Sequence, residues 1–330
     1  MKKKILIFGK GRIGRAFFYL LKKKGFRVNF WKKNSNLKNY DIFLGALPGK
    51  VGKLSLKYAL KYKKDLIDLS DLEAEIYLKK KKEIKKAKIC VLPNCGFCPG
   101  LLNFLISFFA KKLKEIKKIE VFAGTLSPQK FFYPFLWCFE DLILEHELSS
   151  IQLINGKKKR FPPFSGLKRE KFFGILAESY FALSGFEQLM KKLKIKNFIF
   201  RVVRPYGFFE FYNFLKNHGF LNKENFEKTK RILERKIEDN LTFGKIKIET
   251  KKEKLSLVVK SFSKKKEKLN SMQKISVVFP LEVLKKLIEG EIKKGLIFPE
   301  DLAKENFSKG IFKNLRKNSL ISFRLTSQED

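Results

Sequence analysis

The chain has 330 residues, 44% of them apolar and 14% aromatic, which excludes a disordered protein and suits about two domains with substantial cores. Its formal charge is +40, yet 62 of the 73 basic residues are Lys scattered through every region, and Phe is equally over-used at 36. AAA- and TTT-type codons yield that pair, so no specific nucleic acid is implied, only adhesion to polyanions at low salt. No apolar run reaches the roughly 18–20 residues of a membrane span, and the start Met1-Lys-Lys-Lys runs into a glycine loop rather than a signal core, so a soluble, cytoplasmic protein without membrane partners is expected.

Lys4 to Phe8 reads as a strand, and Gly9-Lys10-Gly11-Arg12-Ile13-Gly14 follows it directly. Arg15 to Lys24 reads as a helix with Ala16, Phe17, Leu20 and Leu21 on one face; Gly25 ends it, and Phe26 to Trp31 reads as a second strand. In that setting the glycines permit a tight turn and close approach of a pyrophosphate to the positive end of the helix. The second strand ends in Trp31-Lys32-Lys33-Asn34-Ser35, where an NAD site generally carries an acidic residue. Two Lys and a Ser suit a 2′-phosphate instead, so NADP(H) is favoured over NAD(H).

Tyr40 to Gly49 is a strand whose tip, Ala46-Leu47-Pro48, lets backbone pass close to a cofactor. Only about nine residues separate it from the second strand, so the usual crossover is shortened. Val51 to Lys61 reads as a helix, Asp65 to Leu69 as a strand, Asp71 to Lys86 as a charged helix and Lys88 to Leu92 as a strand. This alternation predicts a parallel α/β sheet. After the loop Pro93 to Gly100 and an apolar helix from Leu101 to Leu113 the pattern changes. Strands are expected over 119–126 and near 151–154, 198–203, 245–249 and 255–261, with a helix from Pro280 to Ile288. Cys95-Gly-Phe-Cys98 has redox or zinc spacing. With no second close pair and only His146 and His218, zinc is not expected; Gly96 and Pro99-Gly100 suit a loop better than a redox helix start.

Several segments together resemble the saccharopine dehydrogenase-like family. They are the glycine loop with Asp41-Ile-Phe-Leu-Gly-Ala-Leu-Pro48 and Leu66-Ile-Asp68; Leu92-Pro-Asn94-Cys95-Gly96-Phe-Cys-Pro99-Gly100; Leu136-Trp-Cys-Phe-Glu140 to Glu145, with Leu176-Ala-Glu178-Ser-Tyr-Phe-Ala-Leu-Ser184-Gly185; and Arg201-Val-Val-Arg204-Pro-Tyr206-Gly207, with Leu287-Ile-Glu-Gly290 and Gly295-Leu-Ile-Phe-Pro299-Glu300. Their collinearity spans roughly residues 5 to 303. The resemblance implies an α/β fold in which a Rossmann-type parallel sheet domain (1–120, rejoined by 275–330) is interrupted by an α+β substrate and dimerisation domain with a mixed sheet (121–274). It also implies NAD(P)-dependent chemistry at a carbon–nitrogen bond of a small amino-acid substrate, of the saccharopine reductase or lysine 6-dehydrogenase type, in a homodimer. Asn94, Cys98 and Phe208 depart from the family pattern and leave room for a catalytically altered member with a regulatory role.

Such chemistry sets the candidate residues. Gly9, Gly11, Arg12, Ile13, Gly14, Lys32, Lys33, Ala46, Leu47, Pro48, Asp68, Asn94, Cys95 and Gly96 are assigned to the cofactor. An amino-acid carboxylate calls for a guanidinium, and Arg204 is chosen over Arg201 because positions three apart in a strand face opposite sides. A carboxylate is wanted as base or ammonium partner, and Glu178 is preferred to Glu140 and Glu145. Gly124, Thr125, Glu140 and Tyr206 complete the substrate side.

Overall fold

The computed structural model describes residues 3–70, 72–127, 138–183, 185–233, 239–264, 267–317 and 320–327. The expectations at Asp71, Leu136, Trp137 and Ser184 lie outside them. The chain forms two compact units, Met1–Leu113 with Gly185–Leu193 and Gln273–Ser319, and Lys114–Ser184 with Lys194–Met272 and Leu320–Asp330.

In chain order the first unit runs β1 (Lys4–Phe8), α1 (Arg12–Lys23), β2 (Arg27–Phe30), β3 (Ile42–Gly45), α2 (Lys53–Tyr62), β4 (Asp65–Asp68), α3 (Ala74–Lys79), α4 (Lys81–Ala87), β5 (Cys90–Leu92) and α5 (Leu101–Ala110). The second contributes β6 (Lys118–Leu126), α6 (Phe139–Glu145), β7 (Ser150–Ile154), β8 (Lys157–Phe161), β9 (Lys168–Phe172) and β10 (Ile175–Phe181). Then α7 (Glu187–Leu193) returns to the first unit, and β11 (Phe198–Pro205), α8 (Phe208–Asn217), α9 (Phe226–Leu233), β12 (Asn240–Glu249) and β13 (Glu253–Ser263) belong to the second. Finally come α10 (Ser271–Ile288), β14 (Gly295–Leu296), α11 (Glu305–Lys317) and β15 (Ile321–Ser327).

The first unit is a six-stranded parallel sheet in the order β14-β5-β4-β3-β1-β2. Its inner strands β1, β3 and β5 are short apolar runs, as strands covered on both faces must be, whereas the edge strand β2 exposes Arg27 and Asn29. Leu6, Phe8, Phe43, Leu66 and Val91 pack with Leu56, Ala59, Tyr77 and Ile84 into one core. Between β2 and β3 the crossover is reduced to a single 3-10 turn, Leu37–Asn39, as the short spacing predicts. The helix expected from Asp71 to Lys86 is two, α3 and α4, broken at Lys80.

The second unit is a nine-stranded sheet in the order β15-β13-β12-β6-β11-β10-β9, with β7 on β11 and β8 on β7. Among the described residues β6 and β11 run parallel and the other pairs are antiparallel. The architecture is thus the α/β fold with parallel and mixed sheets that the pattern implies.

Three boundaries are corrected. A division at residue 120 falls inside β6, whose nine residues all belong to the mixed sheet. Residues 321–327 do not rejoin the first sheet but pair with β13. The helix expected from Pro280 begins instead at Ser271, with Pro280 inside it; Ile275 and Phe279, four apart and fully buried, continue upstream the face that carries Val283.

Candidate functional site

Residues assigned to a cofactor lie at or just beyond the carboxyl ends of β1, β2, β3, β4 and β5. Gly9 has φ +110°, and a Cβ there would lie 2.1 Å from the Ala46 carbonyl oxygen. Gly14 is similarly confined by the Gly9 carbonyl, also 2.1 Å from a notional Cβ. Gly11 differs, because its Cβ would meet no protein atom within 4 Å. The first and last glycines therefore serve chain packing, and the middle one keeps a cradle open before α1. That helix starts at Arg12 with no side-chain cap and no acidic residue in its first turn. Its leading amides and the positive end of its dipole suit a pyrophosphate, so the residues present fit a dinucleotide. Gln273 braces the loop by donating from Nε2 to the Arg12 carbonyl at 2.7 Å.

The β3 tip is held from below. Leu47 N–H donates to Ser70 Oγ (3.1 Å), Ser70 N–H to Asp68 Oδ1 (2.9 Å) and Ser55 Oγ to Asp68 Oδ2 (2.7 Å). Asp68 is fully buried, and Gly45 is tolerated only as glycine because a Cβ would stand 2.1 Å from Asp68 Oδ1. Asp68 thus props the loop bearing Ala46, Leu47 and Pro48, a different role from the cofactor contact expected of it. Lys32 and Lys33 follow β2 as exposed side chains, while Ser35 Oγ is occupied by the Lys32 N–H at 2.9 Å. Asn94 is buried with φ 54°, and Cys95 N–H donates to the Asp68 carbonyl at 2.9 Å. Burial pushes the Cys95 thiol well above its ordinary value, aided by Cys90 and Asp68. A redox dithiol needs an accessible thiolate, so the Cys95–Cys98 spacing is not one.

An open hollow of about 390 Å³ bordered by Lys4, Arg27 and Tyr40 lies at the other ends of β1 and β2. Dinucleotides bind at the carboxyl ends of such strands, so this hollow is not the cofactor site.

In the second unit, register collects the substrate candidates. Glu178 on β10 is paired across the sheet with Arg204 on β11 and with Arg169 on β9. Thr125 follows Gly124, the partner of Val203, and is itself paired with Thr242 on β12. By the two-residue alternation of strands these side chains share one face. A polar rung therefore crosses the sheet. Thr125 is buried in a hydroxyl chain with Thr242 (3.0 Å) and, beyond it, Ser271 (2.7 Å). Gly124 is there for packing, since a Cβ would stand 2.1 Å from the Val203 carbonyl oxygen.

The two residues chosen for catalysis are already engaged. Glu178 is fully buried and accepts from the Gly207 N–H (3.0 Å) and the Phe209 N–H (2.9 Å), the opening amides of α8. It does the work of an N-terminal helix cap. Arg204 is 2% exposed and donates through Nη2 to Glu145 Oε2 at 2.5 Å. Burial pushes the Glu145 carboxyl upward, and Arg204 opposes it. Glu140 binds Lys230 at 2.5 Å, and its second oxygen accepts from Cys138 Sγ. Arg201 lies on the opposite face, where it donates to Ser179 Oγ and to the Ser179 and Gly166 carbonyls. Tyr206 is 48% exposed beneath the Arg169 guanidinium.

Sequence reasoning missed His146. Its Nδ1 lies 2.6 Å from the Leu142 carbonyl and its Nε2 2.6 Å from Tyr180 Oη, with rings of Phe164, Phe208 and Tyr212 around it. A carbonyl only accepts, so Nδ1 carries the proton and Tyr180 donates to Nε2. Burial, reinforced by the Arg204 charge, holds the ring well below its ordinary value. Between pH 7 and 5 the unfolded chain takes up a proton here that the fold refuses. Stability should therefore fall as pH drops through about 6.5, approaching 1.36 kcal/mol per pH unit. Urea midpoints across that range test this, and a His146→Gln variant should lose the slope.

Among the described residues no group of three or more His, Cys, Asp or Glu could hold a metal, and no helix is long and apolar enough to cross a membrane.

The first unit is thus a Rossmann-type dinucleotide-binding fold. No family model matches the sequence. As a whole the chain has a saccharopine dehydrogenase-like fold. It is similar to the saccharopine dehydrogenase (L-Glu forming) of Saccharomyces cerevisiae, with a TM-score of 0.75 at 16% identity over 99% of this chain and 100% of that one. Aspartate dehydrogenase of Thermotoga maritima aligns with a TM-score of 0.40 at 11% identity, over 87% of this chain and 97% of that one. An engineered D-amino acid dehydrogenase bound to NADP+ reaches 0.45 at 11% identity, over 91% and 94%.

Proposed function

We propose that the protein is an NAD(P)-dependent oxidoreductase acting on a carbon–nitrogen bond of an amino acid, of the saccharopine reductase or lysine 6-dehydrogenase type. The observation that carries the reading is the open cradle at Gly11 before the uncapped start of α1. When bound, a nicotinamide cofactor supplies or accepts the hydride. The chain's own task is to bind, orient and balance charge. The α1 amides hold the pyrophosphate, Lys32 and Lys33 take a 2′-phosphate, and the tip braced by Asp68 and Ser70 shapes the wall beside them.

Fluorescence titration tests the cofactor side. NADPH should bind at least about tenfold more tightly than NADH, the yield of one charge-assisted contact. A Lys32→Glu/Lys33→Glu variant should reverse the order; an unchanged ratio removes these lysines from the reading. Spectrophotometric turnover with a panel of lysine-derived imines tests the reaction.

One observation favours a second reading. Arg204 and Glu178 are both engaged by their own chain, which suits a cofactor-binding protein that no longer turns over. Tight NADPH binding with no turnover of any imine would select it.

A further inference from the structure

With Arg204 buried against Glu145, the accessible guanidinium on the polar rung is Arg169, whose side chain is 48% exposed. It forms an ion pair with Glu210 from the first turn of α8, itself 54% exposed. The guanidinium carbon lies 5.2 Å from the centre of the Tyr206 ring, and Nε is 3.5 Å from Glu178 Oε1. Two neighbours thus orient it: an aromatic face that attracts the cation, and a carboxylate locked in place by two helix amides.

We propose that Arg169, Glu210 and Tyr206 form a head-group subsite for an α-amino acid, Arg169 taking the carboxylate and Glu210 the ammonium. A zwitterion presents the same two charges as the resting pair. It therefore exchanges with that pair without leaving a charge uncompensated, and an exposed ion pair is worth little to the fold, so breaking it costs little. The planar fork of Arg169 matches a carboxylate bidentately, and the Tyr206 ring offers an apolar wall to the first carbons of the side chain. Arg204 offers no such exchange, because its guanidinium is itself buried, 2% exposed, against Glu145.

The subsite rests on the amino-acid reading above, but its test does not need turnover. Calorimetric titration of the full chain saturated with NADPH would use L-norvaline as probe, with pentanoate and pentylamine each lacking one charge. L-norvaline should bind with a Kd on the order of 1 mM, and each single-charge analogue at least about tenfold more weakly. Arg169→Gln and Glu210→Gln should each weaken L-norvaline by a similar factor while melting temperature holds. Unaltered binding in both variants, or no saturable binding to the wild type, overturns the subsite. Failure of imine turnover with L-norvaline binding intact sinks the proposed reaction and leaves the subsite standing.

Discussion

Gly9→Ala should reduce dinucleotide affinity on the order of 100-fold and destabilise the first unit, whereas Gly11→Ala should reduce affinity and leave stability unchanged. At Gly9 the backbone has φ +110°, which an alanine adopts only under strain, and the new Cβ would stand 2.1 Å from the Ala46 carbonyl oxygen. The obstacle is backbone rather than a flexible side chain, so the loop or the β3 tip has to move. Alanine at such a positive-φ site costs more than about 1 kcal/mol, and a loop shifted to relieve it loses one or two charge-assisted hydrogen bonds to the pyrophosphate, about 3 kcal/mol or on the order of 100-fold in affinity. At Gly11 the Cβ meets no protein atom, so the fold has nothing to lose. The methyl group projects into the cradle where a pyrophosphate would approach. Melting temperatures and NADPH titrations on both variants separate the two effects. Equal affinity in Gly11→Ala and wild type would remove the loop from cofactor binding altogether.

The glycine loop was legible because its rules are local. A strand, three glycines and an amphipathic helix sit within 20 residues, and each demand is met by a neighbour in sequence. The shortened β2–β3 crossover followed from counting residues. The mixed sheet yielded less. Lys157–Phe161 and Lys168–Phe172 are strands made almost entirely of charged residues, and without polar–apolar alternation they carry no period to detect. Nothing local in Ile321–Ser327 signals its pairing with β13, so its place in the second sheet is not legible from the sequence.

At the candidate site, motif reasoning found Glu178 and Arg204 but not what they touch. Their partners arrive through register and helix packing: Glu145 is 59 residues from Arg204, and the amides that bind Glu178 are 29 and 31 residues away. Recognising β10 as a strand would have set Tyr180 on the same face as Glu178, two positions on, and pointed towards His146. Nothing local marks Asp68 as a prop, because Ser55 and Gly45 lie on other elements of the same sheet and its helices.

Near pH 8, removing either member of the Arg204–Glu145 pair should cost up to about 3–5 kcal/mol, since each leaves a charge, buried for Arg204 and half-buried for Glu145, without its counter-ion. The two single variants should nevertheless differ with pH. In Glu145→Ala the guanidinium cannot shed its charge, so a loss should persist from pH 5 to 8. In Arg204→Met the carboxyl is released from the one influence opposing its upward shift, so the folded form holds the acid more firmly. A folded pKa above the unfolded one gives stability that is complete below the unfolded value and lost as pH rises through the folded one. Arg204→Met should therefore approach wild-type stability near pH 5 and fall away towards pH 8. The double variant Glu145→Leu/Arg204→Met, with both charges gone, should recover most of the loss. Urea denaturation of the four proteins at both pH values gives the coupling directly, and near-additive losses would show that the pair is not a unit. Acetate supplies the functional complement. If Arg204 is fit to hold a carboxylate, acetate should raise the stability of Glu145→Ala and not of Arg204→Met. Rescue would mark Arg204 as an anion site closed by its own chain, whereas its absence would leave the guanidinium a structural strut.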